Sequence, residues 1–143
     1  MRLASVIVAS AILLVAMARA DVAKQYSGRI VMSPDPPPTI ASELATYLKA
    51  NATKDDSYEA IKGSPWEVHL VGVLSADAKA VTLEFVDDSK KPLHTLEVSS
   101  KRRLVLATAK LTTAAGFEAN KTYLVRFVDG KKTLAKATLR LRD

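Results

Sequence analysis

The chain has 143 residues, with 21 Lys+Arg against 15 Asp+Glu, five Gly and no Cys. Lacking Cys, it has no disulfide, no thiolate metal site, no cysteine nucleophile and no N-terminal Cys to lipidate. A net charge of +6 favours solubility and weak attraction to anionic surfaces, not a dedicated nucleic-acid binder.

Met1-Arg2 opens the chain, an apolar and small-residue run follows over 3–17, and Ala18-Arg19-Ala20 offers a small-x-small cleavage pattern before Asp21. This order of parts predicts a secretory signal peptide over residues 1–20. Fifteen helical residues reach only about 22 Å, short of the roughly 30 Å of a bilayer core, so a membrane anchor is the weaker reading. Loss of Arg2 and Arg19 with the leader lowers the net charge from +6 to +4. The expected protein is exported, periplasmic or secreted, is not a lipoprotein and has no integral membrane segment after processing. Its remaining length is enough for one core that buries roughly two-thirds of the unfolded surface without staples.

Residues 21–38 read as an N-terminal arm. It carries a short alternating piece, Tyr26, Gly28, Ile30 and Met32, that reads as a first strand, and then the stiff spacer Pro34-Asp35-Pro36-Pro37-Pro38, in which each ring fixes φ and removes a donor, so that it either sets the arm apart or turns a corner. Residues 39–63 read as helical. Ile40, Leu44, Tyr47 and Leu48 form one apolar stripe with Thr39 placed to cap it. A shorter helical turn is expected after Asp55-Asp56, with Tyr58 and Ile61 on one side, ended by Gly63 and Pro65.

From Trp66 onward the period becomes two. Inward sets are Trp66, Val68, Leu70 and Leu74; Val81, Leu83 and Phe85; Leu96 and Val98; Tyr123, Val125 and Phe127; and Ala135, Ala137, Leu139 and Leu141. Residues 103–109 are apolar on both faces, as in a central, covered strand. Six strands with short polar turns predict an antiparallel sandwich or barrel over residues 64–143, so the fold class is mainly β with a short helical segment. In the last hairpin a two-residue loop at Asp129-Gly130 would bring Lys136 opposite Tyr123. A three-residue loop, with Phe127 opposite Thr133 and Val125 opposite Ala135, keeps the lysine out of the core. The longer loop is expected, with Gly130 left-handed at a bulge.

The stretch from Phe117 to Phe127, with Tyr123 opening a strand after a turn, resembles the E–F corner of fibronectin type III and related immunoglobulin-like sandwiches. The resemblance covers residues 66–141 and implies an immunoglobulin-like fold in which the Tyr123 hydroxyl bonds back to the chain upstream, beside Phe117. Trp66 could be a core tryptophan, although it comes early for the usual strand, and the inter-sheet cysteines of antibody domains are absent. No chemistry is implied, because unrelated functions share this frame.

The chemistry-bearing residues are sparse. His69 and His94 are on separate strands, too few for a zinc or copper site without added carboxylates or Met32. Asp55-Asp56 reads as a helix start and Asp87-Asp88 as a turn, without the spaced oxygens of a calcium loop. No nucleophile signature or phosphate-cradling glycine cluster is present, so no catalytic residue, metal or cofactor is predicted. Two sequons, Asn51-Ala52-Thr53 and Asn120-Lys121-Thr122, would matter in a eukaryotic host. The leading expectation is a non-catalytic interaction module whose partner is a protein of an envelope or extracellular assembly. Leu124 and Leu134, expected to face away from the core, are its candidate contact residues. The alternative partner is an anionic polymer (acidic glycan, lipopolysaccharide or DNA) held by the basic loops Lys101, Arg102, Arg103, Lys131 and Lys132. A small hydrolase built around a histidine is a third, weaker reading.

Overall fold

The computed structural model describes residues 20–143 except Thr39, Lys62, Ser64, Lys101 and Arg102. Nearly all of the expected leader therefore lies outside the described residues. Among the described residues two α-helices, α1 (Ala20–Gln25) and α2 (Ala41–Asn51), accompany eight strands. These are β1 (Arg29–Ser33), β2 (Ser57–Ala60), β3 (Trp66–Val73), β4 (Ala80–Val86), β5 (Pro92–Ser99), β6 (Leu104–Leu111), β7 (Lys121–Asp129) and β8 (Lys132–Leu141). The hydrogen-bonded order is β5-β4-β7-β8-β1-β3-β6, with β2 also pairing β8. Only the joins of β8 to β1 and β2 are parallel; all other pairings are antiparallel.

The path folds over on itself into a mainly β, sandwich- or barrel-like structure. Alternation sends Trp66, Val68 and Leu70 of β3 and Val105, Ala107 and Ala109 of β6 inward. There they meet Leu83 and Phe85 of β4, Val125 and Phe127 of β7 and Ala137 and Leu139 of β8, all in one core. The opposite face of β1, β3 and β6 is apolar too. Val31, Val71, Val73, Leu104 and Leu106 pack there with Leu44 and Leu48 of α2 and with Val22 and Tyr26. That explains why β6 is apolar on both faces although it ends the pairing order and is not central. The expected first strand forms as β1, and Val22, Tyr26 and Val31 pack in this second cluster.

Three local expectations are corrected. Residues 57–60 form a strand and not a helical turn. The chain turns at Asp56, whose φ is +53°, and the Thr53 hydroxyl bonds both the amide and the carbonyl of Ser57. The ladder from Ser57↔Thr138 to Ala60↔Leu141 then supplies partners that a lone helical turn would lack. Helix α2 starts at Ala41 with Ile40 at the cap position and no side-chain cap bond; Ile40 is 53% exposed, and Thr39 lies outside the described residues.

The last hairpin adopts neither expected register. Its turn is Gly130-Lys131, with Asp129↔Lys132 and Val128↔Thr133. Gly130 alone of the two has positive φ (+63°), as a type II′ turn requires. The bulge lies two residues further on, before Phe127↔Ala135, and gives Val125↔Ala137 and Tyr123↔Leu139. The core parity is the expected one, and the partners are displaced by two.

The layers approach closely at Gly72 on the inner face of β3. A methyl built there would stand 2.6 Å from Cδ2 of Phe127 and nearer still to Cε2. The ring of Phe127, fully buried, thus fills the space a side chain would take. Trp66 closes the far side of the core, its indole donating to the Arg142 carbonyl at 2.9 Å. Gly72→Ala should cost about 1–3 kcal/mol by overpacking, read as a lower urea midpoint. Phe127→Leu in the same chain should recover part of that loss. An unchanged midpoint in Gly72→Ala would contradict the close approach.

Candidate functional site

Three connections meet at one end of the sandwich. β3 leaves at Val73, whose partner Leu104 begins β6; β4 begins at Ala80 opposite Ser99, the end of β5; β7 ends beside the start of β4, with Val128↔Thr82. Backbone bonds tie the connections together: Leu74 N to Arg103 O at 2.7 Å, Ser75 N to Leu134 O at 2.8 Å and Ser100 N to Lys79 O at 3.0 Å. Segments 74–79 and 129–132, with Ser100 and Arg103, therefore share this end.

Among the described residues these segments carry Lys79, Arg103, Lys131 and Lys132 against Asp77 and Asp129. Arg103 reaches Asp77 at 3.6 Å, in an exposed pair of little energetic weight. Lys131 and Lys132 project into solvent from the hairpin tip. Lys101 and Arg102 lie outside the described residues. The structure thus brings the loop of Arg103 and the loop of Lys131-Lys132 to one end. It sends Lys90-Lys91 to the other, where the β4–β5 connection lies.

That opposite end is mixed in charge. Lys121 sits 4.0 Å from Asp87, 3.9 Å from Asp88 and 3.8 Å from Glu118. The Ser89 amide and hydroxyl donate to Asp87 Oδ1 at 2.9 and 2.5 Å and hold that carboxyl below its ordinary value. Beside them the Glu118 amide donates to the Tyr123 hydroxyl at 2.9 Å, so the ring locks the turn leading into β7. Phe117 stacks against Tyr123 and Phe85 edge-on, with centroids 5.2 and 5.5 Å apart. Burial pushes the Tyr123 phenol up.

The histidines are both engaged. Nδ1 of His69 is 2.8 Å from the Thr108 hydroxyl on the neighbouring strand. Nε2 of His94 is 3.0 Å from the Ala115 carbonyl, and its ring lies parallel to Phe117 at 5.4 Å. Among the described residues no three His, Asp or Glu side chains are grouped to hold a metal, and no helix is long and apolar enough to cross a membrane.

Leu134 is corrected outright. The β8 bulge turns it inward, and it is 2% exposed in the main core; helix α2 packs on the other layer. Leu124 is half-buried on the outer face of β7. Leu124 lines an open groove of about 290 Å³ with Ser75, Arg126, Thr133 and Lys136, to which Leu134 contributes almost no exposed surface. Sequence reasoning passed over Arg126 and Lys136; their alternation with core residues places them outside, but only the register sets them side by side. No protein-family model, curated protein or solved structure matches the chain.

Two measurements test the corner. Tyr123→Phe should lose about 1 kcal/mol of stability with its hydrogen bond, and an unchanged urea midpoint would contradict the lock. The folded chain holds the Asp87 carboxyl below its unfolded value of about 3.9. Stability from this group is therefore present above about pH 4 and is lost as pH falls through the lower folded value. Asp87→Asn should flatten the acid limb of the stability curve, and a limb as steep as in the parent would contradict it.

Proposed function

We propose that this chain is an exported, non-catalytic recognition module with an immunoglobulin-like sandwich, and that it meets an anionic partner with its cationic end. The strand order supports the immunoglobulin-like part. The layer β5-β4-β7-β8 facing β1-β3-β6 corresponds to C′-C-F-G facing A-B-E of the fibronectin type III arrangement, and the Tyr123–Glu118 bond falls at its E–F corner. In that frame β1 and β2 are two halves of the first strand, one on each layer, and α2 is carried between them. The leader pattern of residues 1–20 supports export.

The observation that carries the functional reading is the convergence of the connections bearing Lys79, Arg103 and Lys131-Lys132 at one end. Scattered lysines would be ordinary surface decoration. Four cations against two acids on adjoining loops concentrate a positive field that steers an acidic glycan, lipopolysaccharide or other polyanion to one place. An apolar protein contact made by Leu124 and Leu134 loses support, because Leu134 is inside the core.

Binding of the processed protein to immobilised heparin, a generic polyanion, should fall steeply as salt rises from about 50 to about 300 mM. Lys131→Glu with Lys132→Glu should weaken it about tenfold or more. Lys90→Glu with Lys91→Glu, at the far end, should change it little. Binding insensitive to salt, or weakened equally by both pairs, would overturn the proposal.

A further inference from the structure

Strand β5 ends the pairing order and bonds β4 alone. The Ser100 amide donates to the Lys79 carbonyl at 3.0 Å, which continues the ladder one step past Ala80↔Ser99. An antiparallel ladder bonds every second pair. Counted from that step, the bonded pairs are Val81↔Val98, Leu83↔Leu96 and Phe85↔His94. The amides and carbonyls of Thr95, Glu97 and Ser99 therefore turn away from β4. All three residues are exposed, and these backbone groups have no partner among the described residues. Leu96 shares the inner face with its partner Leu83, yet it is only half-buried where Leu83 is fully buried. Lys90, Lys91 and Pro92 guard the start of this edge, and Glu97 is the one charge on the rest of it.

A strand added here extends the sheet, and the side chains favour an antiparallel copy of β5 itself. A two-fold axis at Glu97 would set two carboxylates opposite each other, which repel. An axis at Thr95 would set Glu97 against Leu93. An axis at Leu96 sets Glu97 against the hydroxyl of Thr95, His94 against Val98, and Leu96 against its own copy. The two leucines then cover the apolar surface that each leaves open alone. This arrangement also keeps the cationic ends apart. Each lies beside the far end of the other copy, where Asp87, Asp88 and Glu118 balance Lys90, Lys91 and Lys121. We infer that two copies of this chain associate through β5, antiparallel about Leu96, and so join their β5-β4-β7-β8 layers into one continuous sheet. One strand pair is a small interface, so the association is weak.

Sedimentation equilibrium of the processed protein from about 10 µM to about 1 mM should show its mass rising toward that of two chains. Added salt should preserve or steepen this rise, because both partners are cationic, whereas polyanion binding falls with salt. Lys131→Glu with Lys132→Glu should not weaken it, so failure here and failure of polyanion binding are separable. Thr95→Pro removes an outward amide and no bond to β4, so it should keep the circular dichroism of the parent and abolish the rise. The chain has no Cys, so single cysteines report the register. Residues in a non-bonded antiparallel pair have Cα atoms about 4.5 Å apart, within disulfide reach. Leu96→Cys should therefore link into a dimer under oxidised glutathione. Thr95→Cys and Glu97→Cys, each more than about 7 Å from its own copy, should stay unlinked. A single-chain mass at every concentration, association unchanged by Thr95→Pro, or linkage through residue 95 or 97 in preference to 96 would each overturn the inference.

Discussion

The ring of Phe127 lies on a stretch of β3 stripped of side chain at Gly72, and this contact decides how closely the two layers approach. Given that approach, residues 74–79, Ser100 and Arg103 lie over the same edge of the core as the β7–β8 turn. Short crossings leave the chain no freedom to separate these loops. The backbone bonds among Leu74, Ser75, Lys79, Ser100, Arg103 and Leu134 record how tightly they are drawn together. What the molecule presents to a partner at this end is therefore a consequence of core packing.

Much of this was legible in the residues. A period of two marks the strands after Trp66 that bury one face in the common core, whereas β6 is apolar throughout because its other face packs with Leu44 and Leu48 of α2; the alternation survives any uncertainty about partners. The Tyr123 corner was legible through the resemblance of residues 117–127 to the E–F corner of fibronectin type III domains, and the Glu118 amide does donate to the Tyr123 hydroxyl. Strand β2 was not. Tyr58 and Ile61 mimic a helical spacing, and only the free edge of β8, more than 70 residues away in sequence, makes Ser57–Ala60 extended. Local pattern cannot see such a partner.

The register of the last hairpin shows the same boundary from another side. The alternating apolar residues dictated which face of β8 is inward, and that parity stands. Neither the Gly130-Lys131 turn nor the bulge before Phe127 could be read from Asp129-Gly130; together they shift the pairs by two, and the bulge turns Leu134 into the core. Site residues follow this division. Lys131, Lys132 and Arg103 were identifiable by type and loop position, whereas their convergence needed the order of the layers. The pairing of Arg126 with Lys136 needed the exact ladder, and Lys136 alone in sequence is one lysine among many.

All of it rests on the two layers meeting where Phe127 covers Gly72. A nuclear Overhauser spectrum of the protein in solution addresses this most directly. The account predicts strong cross-peaks from the Phe127 ring protons to both Gly72 α-protons, with those α-protons displaced by the ring current. A Phe127 ring with no cross-peak to Gly72, or with cross-peaks only to residues of its own layer, would contradict it.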